Sequence, residues 1–263
     1  MDSARSGIIS LLTDFSLRDW YVGTVKGVLL RCAPAAVLVD ITHDIEPGDV
    51  KAAAFAWRNS IPYFPPGTVH LAVVDPGVGG ERAVLAVESE SGILVAPDNG
   101  LVSWILAAGA DWRAWRITSS EFCRSEPSAT FHGRDVFAPL AAALAAGAAP
   151  AELGEPLADP VLIPWPAPEV SGPGDWMVPV LYVDRFGNLI TSLPGEELGS
   201  CRQLQVAGLS LPRLECYEQA PAGELLGLIG SGGYLEISVN GGSAAETLGA
   251  RPGDLLAVRA LER

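Results

Sequence analysis

The strongest constraint on the fold of this chain is a change of texture near Gly154. From Gly7 up to that point, short apolar runs alternate with segments of helical periodicity. IISLLT, VLVDI, HLAVVD, AVLAVES, ILVAPD and RAWRIT are strand-like. Between them, RDWYVGTVKGVLLRC sets Tyr21, Val25, Val28, Leu29 and Cys32 on one helical face, and DVKAAAFAWRN does the same with Val50, Ala53, Ala54 and Trp57. LVSWILAAG is a short helix, and RDVFAPLAAALAAG is an alanine-rich helix closed by Gly147. Strands that alternate with helices must bury both kinds of apolar surface against one core. The expectation is therefore an α/β/α layered domain over residues 1–154, with a largely parallel sheet.

After Gly154 the helical period disappears. Residues 155–177 carry six prolines and no periodicity, which predicts an extended, packed connection. From 178 to 263, VPVLYVDRF, NLITSL, RQLQVAGL, LLGLIG, YLEISVN and DLLAVRAL are short strand-like runs broken by Gly, Pro and Asn. That spacing predicts a smaller all-β, barrel-like domain.

Composition narrows the function classes. A formal net charge of −14 disfavours nucleic acid, whose phosphates need a basic surface, and disfavours an anionic membrane face. Asp14 interrupts an N-terminal apolar stretch too short for a secretory signal. The cysteines Cys32, Cys123, Cys201 and Cys216 are scattered without a C-x-x-C pair, as expected of reduced thiols. The expected protein is cytoplasmic, spans no membrane and acts on a small molecule.

Ionisable residues at strand ends are the candidates for chemistry. In LAVVDPGVGGER a buried-strand run ends in Asp75, then in turn residues, then in Arg82. Open α/β sheets bind ligands at the carboxyl ends of their strands, and Asp14 and Asp19 also follow a strand. Either acid alone could instead cap the next helix. His43 follows a strand as a loop histidine, and His70 opens one as a packed residue. His132, in TFHGRDVF, precedes the alanine-rich helix, where the helix dipole favours a neutral imidazole. The glycine-rich turns DPGVGG, PDNG, GSGGYLE and NGGSAAETLG match neither G-x-G-x-x-G nor a P-loop, so nicotinamide and nucleoside-triphosphate functions are weak candidates.

Seven blocks in order carry a resemblance. TDFSLRDWYVGTVKGVL, VDITHDIEPGDV, FPPGTVHLAVVDPGVG, APDNGLVS, FHGRDVFAP, VDRFGNLIT and GSGGYLEISVNGGSA together resemble the S-adenosyl-L-methionine (SAM) hydroxide adenosyltransferases, which are adenosine-forming SAM hydrolases. The adenosyl-halide synthases, fluorinase and chlorinase, share their fold. The resemblance implies a homotrimer with active sites at subunit interfaces, SAM as substrate, and no metal or further cofactor.

Residue roles follow by matched motif. Asp14 is matched to the ribose hydroxyls, and Asp19 and Asp184 to the methionyl ammonium. Phe186 and Asn188 are matched to adenine, Ser231 to the methionyl carboxylate, and Asn240 to the adenine end. Asp75, Arg82 and His132 match a polar triad around the attacking water. The halide synthases have a tyrosine in place of Asp75, and a tyrosine-serine pair in place of His132-Gly133. A carboxylate repels a halide but accepts a hydrogen bond from water, so the resemblance points to hydrolysis. Where the halide synthases have a carboxylate-binding arginine, this chain has Gly232.

Either Asp75 or His132 is a candidate base, and hydroxide held by Arg82 is a candidate nucleophile. Two other functions compete with hydrolysis by this triad. One is a metal-dependent hydrolase built on Asp14, Asp75, Asp98, His43 and His132, although these residues lack metal-motif spacing. The other is a non-catalytic sensor of SAM or adenosine.

Overall fold

The computed structural model describes residues 5–109, 111–119, 121 and 126–261. It consists of two compact units, one up to Pro164 and one from Trp165. Cys123 lies outside the described residues; Cys32, Cys201 and Cys216 are free thiols.

The first unit is built on seven strands: β1 (Ile8–Thr13), β2 (Val37–Thr42), β3 (Thr68–Val73), β4 (Val84–Ser89), β5 (Gly92–Pro97), β6 (Trp112–Ile117) and β7 (Gly154–Pro156). They form one sheet in the order β2-β1-β3-β5-β4-β6-β7. β2, β1, β3 and β5 run parallel, while β4, β6 and β7 join antiparallel. The sheet is thus mixed, and local chain length explains why. Only Glu90 and Ser91 separate β4 from β5, enough for a hairpin and far too few for a parallel crossover.

Helices α1 (Tyr21–Cys32), α2 (Val50–Ser60), α3 (Ser103–Leu106), α4 (Ala138–Ala145) and α5 (Pro150–Leu153) accompany this sheet. Every residue of β3 and β5 is buried, as central strands covered on both faces should be. Ile9, Leu11, Val69, Leu71, Val73 and Val95 pack with Val25 and Leu29 of α1 and with Leu140 and Leu144 of α4. The alternate residues Ser10, Leu12, His70 and Ala72 are buried as well. α2, which contacts β1 and α3, buries Ala53, Ala54 and Trp57. The alanine-rich helix starts later than its sequence suggests, because Gly133–Phe137 form a wider π-type turn before α4. Pro139 has no N–H to give an α-type bond back to residue 135, so the regular ladder begins beyond it.

The proline-rich stretch is divided between the units. Val161 N donates to Asp98 Oδ1 and Ile163 N to Ser103 Oγ, each at 2.8 Å, within the first unit. β8 (Glu169–Gly172) already pairs with β9 (Asp175–Val183) of the second. That unit continues with β10 (Leu189–Pro194), β11 (Gln203–Val206), β12 (Leu209–Pro212), β13 (Leu225–Ile229), β14 (Tyr234–Val239), α6 (Ala244–Leu248) and β15 (Leu255–Ala260).

Its strands pair antiparallel in the order β12-β11-β15-β9-β10-β14-β13. The two ends of this path meet where Leu214 N donates to Gly227 O at 2.9 Å, so the sheet curls into a nearly closed barrel with little exposed edge. Val178, Val180, Leu204, Val206, Leu235, Ile237 and Val258 fill its core by strict alternation along their strands.

Candidate active site

The strand order β2-β1-β3 reverses direction at β1. The chain leaves β1 to one side to form β2 and returns on the other to form β3. Diverging connections leave a crevice at the carboxyl ends of such strands, the usual ligand position in open α/β sheets. Asp14 directly follows β1, and Asp75 follows β3 by two residues. Both line a cavity of about 390 Å³ in the first unit, together with His132 and the rings of Phe15, Trp20, Tyr21 and Phe131.

Asp75, Arg82 and His132 form one connected group. Arg82 donates from Nε (2.9 Å) and Nη2 (2.5 Å) to the same Asp75 oxygen, Oδ2. Its Nη2 also lies 2.8 Å from His132 Nδ1. A guanidinium only donates, so Nδ1 must accept, and the ring proton of His132 sits on Nε2. His132 is held below the ordinary histidine pKa, first by burial and then by the Arg82 charge, against the opposing pull of Asp75 and Asp135. The Arg82–Asp75 pair is shielded, with side chains 12% and 5% exposed. Breaking a buried pair of this kind costs about 3–5 kcal/mol, so each partner holds the other in place. Asp75 Oδ1 is buried and has no hydrogen-bond partner among the described residues.

The loop that carries Asp75 and Arg82 is shaped by its glycines. Gly79 has φ +79°, and a Cβ there would collide with the carbonyl oxygen of Ala129. Only glycine lets this loop press against the segment that carries Phe131 and His132. From the other side, Asn99 Nδ2 donates to Val74 O at 2.9 Å, tying the end of β5 to the end of β3. Asp14 is half-buried and accepts from Gly48 N at 2.8 Å. Its pKa is raised, chiefly by burial, with a smaller contribution from the Asp75 charge and the amide bonds opposing.

The second unit has its own cavity of about 590 Å³, lined by Asp184, Phe186, Asn188, Tyr217, Asn240 and the glycines after it. Phe186 is 76% exposed, an unusual state for a large aromatic ring beside a cavity. Asp184 organises the turn below it. Oδ1 accepts from Phe186 N and Asn188 N, and Oδ2 from Asn188 Nδ2, all at 2.9 Å. Gly187 has φ +82° and packs where any Cβ would strike Ser243. Asn240 Nδ2 donates to Ala220 O at 2.7 Å, which fixes the orientation of its amide. Tyr217 donates to the buried Glu236 at 2.6 Å, and burial together with that carboxylate raises its pKa.

The sequence-derived candidates thus fall into two groups and a remainder. Asp14, Asp75 and His132 line the first cavity, with Arg82 bonded to two of them. Asp184, Phe186, Asn188 and Asn240 line the second. Asp19 and Ser231 are exposed and line neither. His43 and Asp98 are likewise outside the first cavity, and among the described residues no three His, Cys, Asp or Glu side chains gather in metal-binding geometry.

The aromatic wall of the first cavity was not singled out from sequence. Tyr21 and Phe131 meet edge to face at 5.1 Å, as do Phe15 and Phe131 at 6.0 Å. The one signal for it was Trp20-Tyr21 at a helix start, with Trp20 left 70% exposed. Tyr217 carried no signal, since the three-residue 3₁₀ turn Tyr217–Gln219 is too short to show a period.

Comparison with known proteins bears on both units. Residues 9–154 match the family described as SAM hydroxide adenosyltransferase N-terminal domain, and residues 178–257 match the corresponding C-terminal domain. A protein of Salinispora arenicola named (R)-S-adenosyl-L-methionine hydrolase is 42% identical over 255 residues, covering 96% of this chain and 97% of that relative. A fluorinase of Actinopolyspora mzabensis is 27% identical over 281 residues, covering 93% and 94%. A crystal structure from Thermotoga maritima superposes with a TM-score of 0.89 at 33% identity, covering 95% of this chain and 99% of that one.

Proposed function

The chain belongs to the SAM hydroxide adenosyltransferase family, and from that premise we infer that it is an enzyme hydrolysing S-adenosyl-L-methionine to adenosine and L-methionine. Water attacks the ribose C5′ in line with the C5′–sulfur bond. The new C5′–oxygen bond forms as the sulfonium departs as the neutral thioether of methionine, so no acid is needed for the leaving group. The water must lie about 3–3.5 Å from C5′. Apart from SAM as substrate, the chemistry requires no cofactor.

The observation that carries the mechanism is the orphaned Asp75 Oδ1. Of the two candidate bases, His132 has its acceptor nitrogen occupied by Arg82, and its Nε2–H can only donate. Asp75 Oδ1 is the open acceptor of the group. Asp75 therefore takes the water's proton, His132 Nε2–H donates to the water's oxygen, and Arg82 fixes both. A positioned base is worth about 10²–10⁴ in rate. Asp14 binds the ribose diol, which a carboxylate matches with two accepted hydrogen bonds.

Adenine stacks on Phe186 and bonds to Asn188 and Asn240. Asp19, Asp184 and Ser231 take the methionyl end. Asp184 does so while holding the Phe186–Asn188 turn, which supports a second, structural role for it. Reacting and ribose-binding groups in one unit and adenine-binding groups in the other fit a homotrimer in which each site is completed by a neighbouring subunit. The described residues contain no helix long and apolar enough to cross a membrane, and the acidic chain fits a cytoplasmic location.

Incubation with SAM in ¹⁸O-labelled water tests this function. The expected products are methionine and adenosine with the label in the 5′-hydroxyl. Bound but unaltered SAM would support the sensor instead, and loss of turnover on exhaustive chelation would support the metal-dependent hydrolase.

A further inference from the structure

Two buried histidines of the first unit bond to hydroxyls of β1. His70 Nδ1 lies 2.8 Å from Ser10 Oγ, and His43 Nδ1 lies 2.8 Å from Thr13 Oγ1. The two contacts are alike in length and chemistry but differ in place. Ser10 is in the middle of the strand, whereas Thr13 ends it and is followed by Asp14.

Around Thr13 the hydrogen bonds run in one direction. Phe15 N–H donates to Thr13 Oγ1 at 3.2 Å, and because His43 Nε2 faces the acceptor-only carboxylate of Asp40, Nδ1 takes the Thr13 hydroxyl proton. The ring proton of His43 is then on Nε2, which faces Asp40 Oδ1 at 3.1 Å, an electrostatic contact short of hydrogen-bond alignment. The other Asp40 oxygen is paired with Lys26 Nζ of α1 at 2.6 Å. Backbone contacts from the same loop add to this. The His43 carbonyl accepts from Ser16 N at 2.7 Å, and Gly48 N donates to Asp14 Oδ2 at 2.8 Å. Ser16 has φ +57°, a conformation that costs a non-glycine residue about 1 kcal/mol or more and needs surrounding contacts to persist.

The order acid–imidazole–hydroxyl does not make Thr13 a nucleophile. Thr13 is 2% exposed and its oxygen is engaged on both sides. Nor do Lys26, Asp40 or His43 line the cavity. What these groups share is the turn Thr13–Ser16, which His43 grips through both its ring and its carbonyl.

We propose that His43 is a positioning residue, which holds this turn so that Asp14 presents its carboxylate to the ribose hydroxyls, with Asp40 and Lys26 holding His43 in turn. The proposal rests on the assignment of Asp14 to the ribose. Its signature is a loss of selectivity for the 2′-hydroxyl and not a loss of chemistry.

The test compares the Kd for adenosine with that for 2′-deoxyadenosine, by calorimetry on the whole protein, alongside SAM kinetics. The parent should prefer adenosine by about tenfold or more, since a site built to bond a hydroxyl rejects the analogue lacking it. His43→Leu should lose most of that preference and raise KM for SAM by about tenfold, with kcat within about twofold. His70→Leu removes an equivalent imidazole–hydroxyl bond and should keep the parent's preference. His43→Asn should restore part of it, because an amide oxygen can accept from Thr13. If His43→Leu does not fold, Thr13→Val asks the same question at constant volume and should show the same loss. The proposal is overturned if the His43 and Thr13 variants discriminate as well as the parent, or if His70→Leu loses as much. A parent that turns over SAM yet treats the two nucleosides alike would instead remove Asp14 from the ribose, and the proposal with it.

Discussion

The two cavities of this protein differ in what their polar groups have left to give. In the first unit, an ion pair and an imidazole are bonded to one another so that one buried carboxylate oxygen, Asp75 Oδ1, stays unsatisfied. In the second, the carboxylate of Asp184 is engaged by three bonds from its own turn, and an exposed aromatic ring is what remains on offer. An unsatisfied buried acceptor costs free energy that a proton donor, from water or from a ligand, recovers. An exposed ring instead stands ready for stacking without strain. On the proposed function this difference corresponds to a division of labour, with reaction and ribose binding in the α/β unit and adenine recognition in the barrel.

The sharpest way to break that division is Asp75→Asn. An amide can still accept from Arg82, so the site should hold its shape while losing the proton acceptor. Turnover measured by adenosine release should fall by about 10²–10⁴, with the Kd for SAM nearly unchanged. A tenfold weaker Kd at parental turnover would make Asp75 a recognition residue. Phe186→Ala should do the reverse, weakening adenosine binding by about 10- to 100-fold, the usual worth of a base–aromatic stack, while kcat at saturation stays close to the parent's.

The two variants also test assembly. If sites are completed between subunits, mixed trimers of Asp75→Asn and Phe186→Ala chains contain some sites with both parental halves. Measured at SAM well below the Kd of Phe186→Ala, where each variant alone is weak, co-expression should then recover a clear fraction of parental activity. No recovery in verified mixed trimers would mean that each chain completes its own site.

Acidity offers a graded version of the same comparison. His132 stays neutral to a pH below the ordinary histidine value of about 6.5. Protonation there removes the acceptor for Arg82 and sets two cations together, so kcat should fall about tenfold per unit once pH drops through that lowered value. Asp14, whose pKa is raised by burial, should add an acid limb to KM and none to kcat. A kcat profile flat down to the ordinary carboxylate range would remove His132 from the chemistry.

The smallest effect expected is the most diagnostic for Asp184. As a turn-builder only, Asp184→Asn should weaken adenosine and SAM by the same few-fold. If Asp184 also meets the methionyl ammonium, SAM should suffer several-fold more than adenosine, because only SAM carries that charge.

How much of this was legible beforehand depended on whether a signal was local. The short apolar runs of IISLLT and HLAVVD marked β1 and β3, and acids just beyond them marked the cavity. β7 and β8 carry no apolar period, and β12 follows β11 after only Ala207 and Gly208, so that the two read as one run. The mixed character of the sheet followed from a two-residue connection at Glu90-Ser91, not from the strands themselves. The aromatic wall was hidden because Phe15, Tyr21 and Phe131 are adjacent only after folding.

The sequence by itself determined the family, the two-domain plan and the identities of Asp75, Arg82 and His132, since periodicity and motif order survive without coordinates. Only the tertiary structure decided the direction of each hydrogen bond among them. Arg82 reaches His132 Nδ1 across 50 positions of chain, and that contact turns the imidazole into a donor and leaves Asp75 as the acceptor. Proton direction depends on which lone pair faces which N–H, a relation between distant side chains that no linear pattern encodes.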